Sequence, residues 1–178
     1  MSNNDSQQTH RKPTPFRGGS FTTEDVREFI DAKGIEAEIK VLEQNSTRTS
    51  ALAAQQLNCT IAEIAKTIAF ACIVNGNEID VLVILSGDKK VDTYRLGEKL
   101  KASSVQRMEA EEVKEATGYV IGGVPPFPHA YGIKVLVDKS LMRFRRVWGA
   151  AGAPNAVMHI SPVVLLESLG CELVDVSG

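Results

Sequence analysis

The sequence predicts a single domain of the α+β, or mixed α/β, class. A chain of 178 residues, of which 43% are hydrophobic and 24% charged, has the length and composition of one domain with a sizeable core. Two nearly continuous apolar runs, KTIAFACIV (66–74) and EIDVLVIL (78–85), flank Asn75-Gly76, which is the strongest short signal of a β-hairpin. Because hairpins and helices are mixed along the chain, we expect a mixed sheet rather than a doubly wound parallel one.

The elements before the hairpin are predicted from capping boxes and from periodicity. Thr22 and Asp25 form a capping box that begins a helix, and Gly34 ends it. The other elements of this half are a strand over 35–42, a turn over 45–49, an Ala-rich helix over 49–57 and a very short helix opened by a second capping box, Thr60 to Glu63. The hairpin strands that follow should lie centrally in the sheet, with both faces covered.

The elements after the hairpin alternate between helices and strands. Ser161-Pro162 begins the last helix, because serine is a good cap and proline suits the first helical position. The predicted order is a helix near 93–101, a helix near 109–117, a strand at 132–138, paired strands within 145–152 and 155–160, the last helix, and a closing strand at 171–176.

A polar N-terminal segment is distinct from the rest of the chain. Residues 1–18 are polar and contain Pro13 and Pro15, so we predict a disordered tail followed by the domain at 19–178. No signal peptide is visible, and no apolar run reaches the roughly 18 residues of a membrane span. The three widely spaced cysteines favour a reducing compartment. We therefore expect a cytoplasmic protein with no membrane partner.

Most catalytic signatures are absent from the sequence. It lacks the nucleophile elbow GxSxG, the phosphate-binding motif GxxxxGK[ST] and the metal motifs HExxH and CxxC, so we expect no cofactor and no metal. The net charge of −2 indicates no overall basic field, so DNA is not an expected partner. His159 alternates with Val157 on a predicted strand, which favours a partly buried structural histidine over a ligand.

Two features could carry chemistry. The segment VIGGVPPFPHA (120–130) places two glycines beside three prolines. It is either a rigid connector or a loop whose main-chain N–H groups are already oriented toward a ligand. Lys66 precedes eight strand residues without charge, so its side chain either extends to solvent or points into a cleft. The residues alone leave both alternatives open.

Three segments, taken in order, resemble the YbaK/prolyl-tRNA-editing family, whose members deacylate mischarged tRNA. STRTSALAAQQLNCTIAEIAKTIAF (46–70) combines a Thr-rich turn, an Ala-rich helix and a lysine that opens a strand. TGYVIGGVPPF (117–127) contains a G-x-x-x-P loop. VLVDKSLMRFRRVWGAAGAPNAVMHISPVVLL (135–166) contains a Gly-rich turn and the Ser-Pro helix start. The resemblance covers about residues 21–176.

This resemblance implies a fold and an activity. The implied fold is a mixed, mainly antiparallel curved sheet flanked by helices. The implied activity is hydrolysis of the aminoacyl ester by a water that the G-x-x-x-P backbone organises, helped by the terminal ribose hydroxyl of the substrate. The glycines would let the backbone approach the ester, and the prolines would fix the loop. The implied catalytic residues are Gly122, Gly123, Val124, Pro125 and Pro126.

The resemblance also implies a set of substrate-binding residues. Lys66 is expected to hold the 3′-terminal nucleotide or the aminoacyl end, because a flexible ammonium is a sound partner for phosphate. Pro128 stands where many relatives have glycine, which removes one N–H donor at the exit of the loop. The implied binding residues are Lys66, Thr47, Thr67, Phe127, His129, Gly152 and His159.

Binding of tRNA requires local positive charge, and the densest basic cluster is Arg143, Arg145 and Arg146. This cluster either contacts the acceptor end of tRNA or is a solvated strand edge. The expected partners are the acceptor end of a mischarged tRNA and a synthetase or elongation factor that delivers it. The amino acid is expected to be small, with Cys, Ala, Ser and Thr left open. The alternative is a non-catalytic module that binds an aminoacyl or nucleotide ligand, or a synthetase.

Overall fold

The computed structural model describes residues 20–43, 49–129 and 132–178, and these form eight strands, five α-helices and two short 3₁₀ turns. The helices are α1 (Thr23–Lys33), α2 (Ser50–Leu57), α3 (Thr93–Leu100), α4 (Ala110–Thr117) and α5 (Pro162–Leu169). The strands are β1 (Ala37–Val41), β2 (Ile64–Val74), β3 (Asn77–Ser86), β4 (Ala102–Arg107), β5 (Ile133–Asp138), β6 (Val147–Ala150), β7 (Ala156–Ile160) and β8 (Glu172–Val174). The 3₁₀ turns span Ile61–Glu63 and Lys139–Arg143. The predicted mixed α/β fold is confirmed.

The eight described strands belong to one mixed sheet. Its order is β1-β7-β6-β2-β3-β5-β8, and β4 pairs with β2 outside this order. The pairings β1–β7, β2–β3, β2–β4 and β6–β7 are antiparallel. The pairings β2–β6, β3–β5 and β5–β8 are parallel. The central strand β2 therefore has two different neighbours, β6 and β4, on the side away from β3.

The predicted hairpin joins β2 to β3. Asn75 and Gly76 have φ values of 52° and 77°, the left-handed region that a two-residue hairpin turn requires. The register pairs Val74 with Asn77. Residues 81–85 of β3 are at most 1% exposed, which agrees with a strand covered on both faces.

The predicted caps are present. At the start of α1 the Thr22 N–H donates to the Asp25 carboxylate at 2.6 Å, and Gly34 ends the helix with a φ of 62°. In the second capping box the Thr60 N–H donates to Glu63 at 2.7 Å, although this segment forms only one 3₁₀ turn. Pro162 occupies the first turn of α5 and Ser161 its N-cap position, but the Ser161 side chain makes no capping hydrogen bond.

The strands differ from the sequence-based prediction in two respects. The sequence does not predict β4, because its residues ASSVQR lack a clear apolar alternation and the strand pairs on one side only, with β2. The predicted strands at 35–42, 145–152 and 171–176 are each shorter in the structure, and β2 begins at Ile64 rather than Lys66. Strand ends are set by pairing partners, which a local pattern does not contain.

The sheet separates the main hydrophobic clusters. Val26, Tyr119, Met158 and Leu165 belong to a cluster formed with helices α1, α4 and α5. A second cluster lies between the sheet and α3, and a small third cluster places α2 over Ile64. Among the helices of the described part, none is long and apolar enough to cross a membrane. The predicted tail at 1–18 and the predicted binding residue Thr47 lie outside the described residues.

Candidate active site

A gap in the sheet opens beside the first half of β2. On one side β2 pairs with β3 over 65–74. On the other side β6 pairs only with Ile64 and Ala65, and β4 pairs only from Phe70 onward. Within the described parts of the chain, residues 66–68 therefore have no neighbouring strand on that side.

The main chain of Thr67 faces this gap. The Ile64 carbonyl accepts a hydrogen bond from the Gly87 N–H at 2.7 Å on the β3 side, and the Ala69 carbonyl accepts one from the Met108 N–H at 2.9 Å on the opposite side. Because main-chain groups alternate in direction along a strand, those of Thr67 point the same way as those of Ala69. The N–H and C=O of Thr67 thus form an open strand edge.

A cleft of about 280 Å³ occupies the gap. Four of the predicted site residues line it: Lys66, Thr67, Gly122 and Val124. Its other polar and aromatic lining residues are Thr49, Ser50, Arg107 and Trp148, and its apolar walls include Ile68, Met108, Val113, Ile121 and Val157. The cleft therefore joins the G-x-x-x-P loop to the open edge of β2.

The loop at 122–126 packs against the second Gly-rich turn, main chain to main chain. The Gly152 N–H donates to the Gly123 carbonyl at 2.9 Å. A Cβ added at Gly123 would lie 3.0 Å from the Cα of Ala153, and one at Gly152 would lie 2.9 Å from the main chain of Thr22. The lack of a side chain at Gly123 thus permits close packing of the two turns, and its lack at Gly152 permits close packing against the residues that begin α1. Neither glycine lines the cleft.

Gly122 has a different requirement. The Gly123 N–H donates to the Val120 carbonyl at 3.0 Å, which closes a turn over 120–123. Gly122 is the third residue of this turn and has a φ of 85°. A positive φ at that position is typical of a type II turn, and glycine adopts it without steric cost.

Val124 supplies the main-chain donor of the loop that a ligand can use. Pro125 and Pro126 have no N–H, and the Gly123 N–H is used inside the turn. Among the main-chain hydrogen bonds formed within 20–43, 49–129 and 132–178, none uses the Val124 N–H. Because Val124 also lines the cleft, its N–H is the group of residues 123–126 that can donate to a bound oxygen.

His129 supports the loop from its exit. The His129 Nε2 lies 2.6 Å from the Pro125 carbonyl oxygen, and since a carbonyl only accepts, Nε2 carries the hydrogen. Burial lowers the pKa of His129 to about 4, and the hydrogen bond to Pro125 opposes part of that shift. The ring is therefore neutral at neutral pH. The structure places this predicted substrate contact against the loop rather than in the cleft lining.

Two cationic side chains line the cleft. Lys66 is half-buried, with its Nζ 3.4 Å from the Gly87 carbonyl, and Arg107 at the end of β4 is exposed. Burial lowers the pKa of Lys66, Arg107 and Lys90 lower it further, and Asp88 opposes them. Neither Lys66 nor Arg107 takes part in the ion pairs made within the described residues. Such cations favour an anionic ligand.

Phe127 and His159, both predicted to bind substrate, lie outside the cleft lining. Phe127 is 2% exposed and packs against Phe29, with ring centroids 5.3 Å apart, so it is a core residue. The His159 ring stacks on Trp148 at 4.1 Å. Burial lowers the pKa of His159, and Arg146 adds to this effect. Because Trp148 itself lines the cleft, His159 supports a wall of the cleft from behind.

The three arginines predicted to bind tRNA are not a cluster of free cations. Arg143 donates to Asp88 at 2.7 Å, and Arg146 donates to Glu36 at 3.2 Å. Arg145 lines a separate depression beside the start of α5. Two of the three predicted contacts are thus paired within the protein.

Among the lining residues that sequence reasoning missed are Arg107 and Trp148. No local signal marks Arg107, because its place in the cleft follows from the pairing of β4 with β2. Trp148 is the single tryptophan of the chain and precedes Gly149 in the Gly-rich turn, which is a usable signal. Large aromatic side chains are common in ligand pockets.

The cleft offers a ligand main-chain amides and carbonyls, hydroxyls and two cations. The part of its lining that the structure describes contains no Asp, Glu, His or Cys side chain. Across the described residues, no group of three or more such side chains is arranged to hold a metal ion.

The sequence pattern of the aminoacyl-tRNA editing domain matches residues 44–167 of the chain, a range that includes the whole cleft lining. The uncharacterized protein YwhH of Bacillus subtilis is 32% identical over 124 residues, which are 70% of this chain and 76% of the relative. The multifunctional Ser/Thr-tRNA deacylase ProXp-y of Escherichia coli K12 is 27% identical over 165 residues, 91% of this chain and 96% of the relative. A solved structure of a candidate trans-editing enzyme for prolyl-tRNA synthetase matches with a TM-score of 0.77 and 27% identity, over 88% of this chain and 96% of that one.

Proposed function

Because the chain belongs to the aminoacyl-tRNA editing domain family, we propose that it is a trans-editing deacylase that hydrolyses the ester bond of mischarged aminoacyl-tRNA. The observation that carries this proposal is the cleft beside β2, where a fixed loop, an open strand edge and two cations meet. The aminoacylated end of tRNA presents a phosphate, a ribose and an ester carbonyl. The cleft has cations for the first and main-chain groups for the other two.

Lys66 and Arg107 are proposed to bind the phosphate of the terminal nucleotide. Both side chains line the cleft without an ion pair among the described residues. Hydrogen bonds between a cationic donor and a phosphate oxygen are about twice as strong as neutral ones. Because these cations are separate from the paired arginines of 143–146, the proposed anchor is the acceptor end of the tRNA rather than its stem.

The Val124 N–H is proposed to donate to the ester carbonyl oxygen as negative charge develops there. A donor that is oriented before the reaction needs no reorganisation, and the loss of one such donor costs about 2.7–4 kcal/mol in the transition state. Three features orient this loop. Pro125 and Pro126 restrict its backbone, the Gly152 N–H donates a hydrogen bond to the Gly123 carbonyl, and the His129 ring donates one to the Pro125 carbonyl. A water supplies the nucleophile, and the neighbouring ribose hydroxyl of the substrate assists it.

The proposed substrates carry small amino acids, with Ala, Cys, Ser and Thr as the candidates, on tRNA-Pro or a similar tRNA. The name of the relative ProXp-y specifies Ser/Thr-tRNA, and the similar solved structure is described with respect to prolyl-tRNA synthetase. A pocket distinguishes two such amino acids poorly, because one methylene is worth only about 1–3 kcal/mol. We propose delivery by a synthetase or an elongation factor, in the cytoplasm where tRNA is charged.

Single-turnover deacylation of a panel of mischarged tRNAs tests this proposal. Val124→Ala keeps the main-chain N–H and Val124→Pro removes it, so the pair isolates the proposed donor. We expect Val124→Ala to retain most of the wild-type rate and Val124→Pro to lose about 100-fold or more. Thermal unfolding checks that both variants are folded. A folded Val124→Pro variant with the wild-type rate contradicts the proposed role of the loop.

The alternative function, a non-catalytic binding module, predicts a different result from the same panel. No tRNA would be deacylated, whereas a non-hydrolysable aminoacyl analogue of adenosine 5′-phosphate would bind and Lys66→Ala would weaken that binding. The intact G-x-x-x-P loop together with Lys66 favours catalysis, whereas replacement of either would favour the binding module.

A further inference from the structure

The charged residues that line the cleft indicate which acyl groups the cleft can accept. We infer that the cleft binds the acyl group without recognising a positive α-ammonium, so that the enzyme also hydrolyses α-hydroxyacyl esters of tRNA. This inference rests on the proposed function, because it concerns the substrate class of the same cleft. An α-hydroxyacyl ester differs from the aminoacyl ester by one neutral hydroxyl in place of an ammonium of similar size.

Among the described residues, the lining of the cleft has cations but no carboxylate, and its charged residues are Lys66 and Arg107. Two carboxylates lie near the cleft, and each is held elsewhere. Asp88 accepts from Arg143 at 2.7 Å, and Glu63 accepts from the Thr60 N–H at 2.7 Å. An ammonium in the cleft would therefore meet no counter-ion among the described residues, and the two cations outnumber the single charge of the phosphate that they are proposed to bind.

The residues that the surrounding elements contribute to the described lining carry no negative charge, although α4 has Glu111, Glu112 and Glu115 outside that lining. The lining residues from α2, α4, β6 and β7 are apolar or neutral, as are those of the loop at 121–124. The adjoining segment 44–48 reads QNSTR, which contains no Asp or Glu. The acceptors within reach are neutral oxygens, chiefly the main-chain carbonyl of Thr67 on the open edge of β2 and the hydroxyls of Ser50 and Thr67.

This charge distribution has a consequence for protonation of the substrate. An α-amino group ordinarily has a pKa of about 7.7–8.0. Because a nearby like charge disfavours the charged form, bound aminoacyl-tRNA should have its α-amino pKa lowered by Lys66 and Arg107. The reactive bound form is thus the neutral amine, which, like a hydroxyl, is uncharged and can both donate and accept a hydrogen bond.

The hydrolysis itself is the same for both esters. The oxygen of water adds to the carbonyl carbon, the bond from that carbon to the ribose oxygen breaks, and a proton passes to the ribose oxygen. The products are the free hydroxy acid or amino acid and a tRNA with its terminal hydroxyl restored. No oxidant, reductant or co-reactant other than water is required.

The experiment compares the aminoacyl ester that is hydrolysed best with its α-hydroxy analogue, such as alanyl and lactyl esters on one tRNA. Rates are corrected for uncatalysed hydrolysis at each pH. At about pH 8.5, where the α-amino group is largely neutral, we expect the two kcat/KM values to agree within about tenfold. From about pH 6 to 8.5 the hydroxyacyl kcat should stay nearly constant, whereas the aminoacyl kcat should rise as the amine loses its proton.

Arg107→Gln tests whether the cleft charges cause this pH dependence. For the aminoacyl ester, the midpoint in kcat reports the bound substrate and should move to higher pH, while the midpoint in kcat/KM reports the free substrate and should not move. Arg27→Gln is the control, because it makes the same charge change on α1 outside the cleft lining. It should leave both midpoints in place.

The outcomes separate this inference from the proposed function. If neither ester is hydrolysed, the proposed function fails and the inference fails with it. If the aminoacyl ester is hydrolysed and the hydroxyacyl ester is not, the deacylase assignment stands and the inference is overturned. An aminoacyl kcat that falls with rising pH, or a midpoint that Arg107→Gln leaves unchanged, also overturns it.

Discussion

The cleft and the carboxyl end of β5 both gather polar groups, but they use them in opposite ways. At the end of β5, Asp138 is fully buried and accepts hydrogen bonds from the Ser140 N–H at 2.9 Å, the Val176 N–H at 2.9 Å and the Ser177 hydroxyl at 2.8 Å. Burial raises the pKa of Asp138, but these bonds outweigh burial and hold the pKa below its ordinary value. The polar groups of this region are satisfied by the protein itself.

Arg143 extends this region of paired groups. It donates to the Ser140 carbonyl at 2.8 Å and to Asp88 at 2.7 Å, and its guanidinium holds the pKa of Asp88 at about 2. In the cleft, by contrast, Lys66 and Arg107 have no ion pair among the described residues. The comparison teaches that ion pairing in the folded protein shows whether a basic residue is available to a ligand, whereas the clustering of basic residues along the sequence does not.

Removing the buried carboxylate of Asp138 should have the largest effect, and this effect should be on the free energy of unfolding. Asp138→Ala removes three hydrogen bonds and leaves buried donors unsatisfied, so the free energy of unfolding should fall by about 3–5 kcal/mol. Chemical denaturation measures this loss. Deacylation per folded molecule should stay near the wild-type rate, and Asp138→Asn should lose less stability. A loss of turnover in the folded fraction would show that the two regions are coupled.

Replacing a cation of the cleft should have the opposite effect, with a loss of turnover and little change in stability. Lys66→Ala removes a cation proposed to bind phosphate, and we expect kcat/KM for deacylation to fall about 10- to 100-fold, in line with about 1.5–3 kcal/mol for a charged hydrogen bond. The thermal midpoint should change little, because Lys66 is only half-buried. Lys134→Ala, an exposed lysine on β5, is the matched control and should change neither quantity. A large loss of stability with retained turnover would make Lys66 a structural residue.

His129 sharpens the comparison, because it is a paired group that belongs to the cleft loop. Its folded-state pKa of about 4 lies below the ordinary value of 6.5, so the unfolded chain binds the extra proton first. Stability from this histidine is therefore complete above about pH 6.5 and declines as pH falls toward about 4. At pH 5 the loss should be about 2 kcal/mol at most.

Replacement of His129 separates its charge from its hydrogen bond. In His129→Gln the amide still donates to Pro125, so we expect neutral-pH turnover to be largely kept while the difference in stability between pH 7 and 5 becomes smaller. His129→Ala should lose turnover, mainly in kcat, because the loop carrying Val124 is no longer held. Urea denaturation at the two pH values and single-turnover deacylation measure these effects. An unchanged pH dependence in His129→Gln would contradict a buried neutral ring.

The recognisable parts of the fold and site are those with local signals. Capping boxes at Thr22 and Thr60 contain both partners of an interaction within a few residues, and the Asn75-Gly76 turn and Pro162 at the start of α5 act through their own backbone preferences. The polar strand β4 has no such signal, because its pairing partner β2 is distant in the chain. The sequence therefore predicts the class of the fold better than the extent of its strands.

The candidate site divides in the same way. Lys66 and the G-x-x-x-P loop are visible in the sequence, because a lone charge in an apolar run and a Gly-Gly-Val-Pro-Pro segment are unusual whatever surrounds them. Their meeting at one cleft depends on the gap that β4 and β6 leave beside β2. The same gap brings in Arg107 and exposes the main chain of Thr67.

By itself the sequence determined that the chain forms one mixed domain, that its loop at 122–126 is conformationally restricted, and that Lys66 is an unusual charge. Only the tertiary structure decided that Gly123 serves the contact between two turns, that Gly152 packs against the start of α1, that Phe127 belongs to the core, and that Arg143 and Arg146 are paired. The physical reason is the range of the interactions. Backbone preference and capping act between near neighbours, whereas ion pairing, burial and strand pairing join residues that only the folded chain brings together.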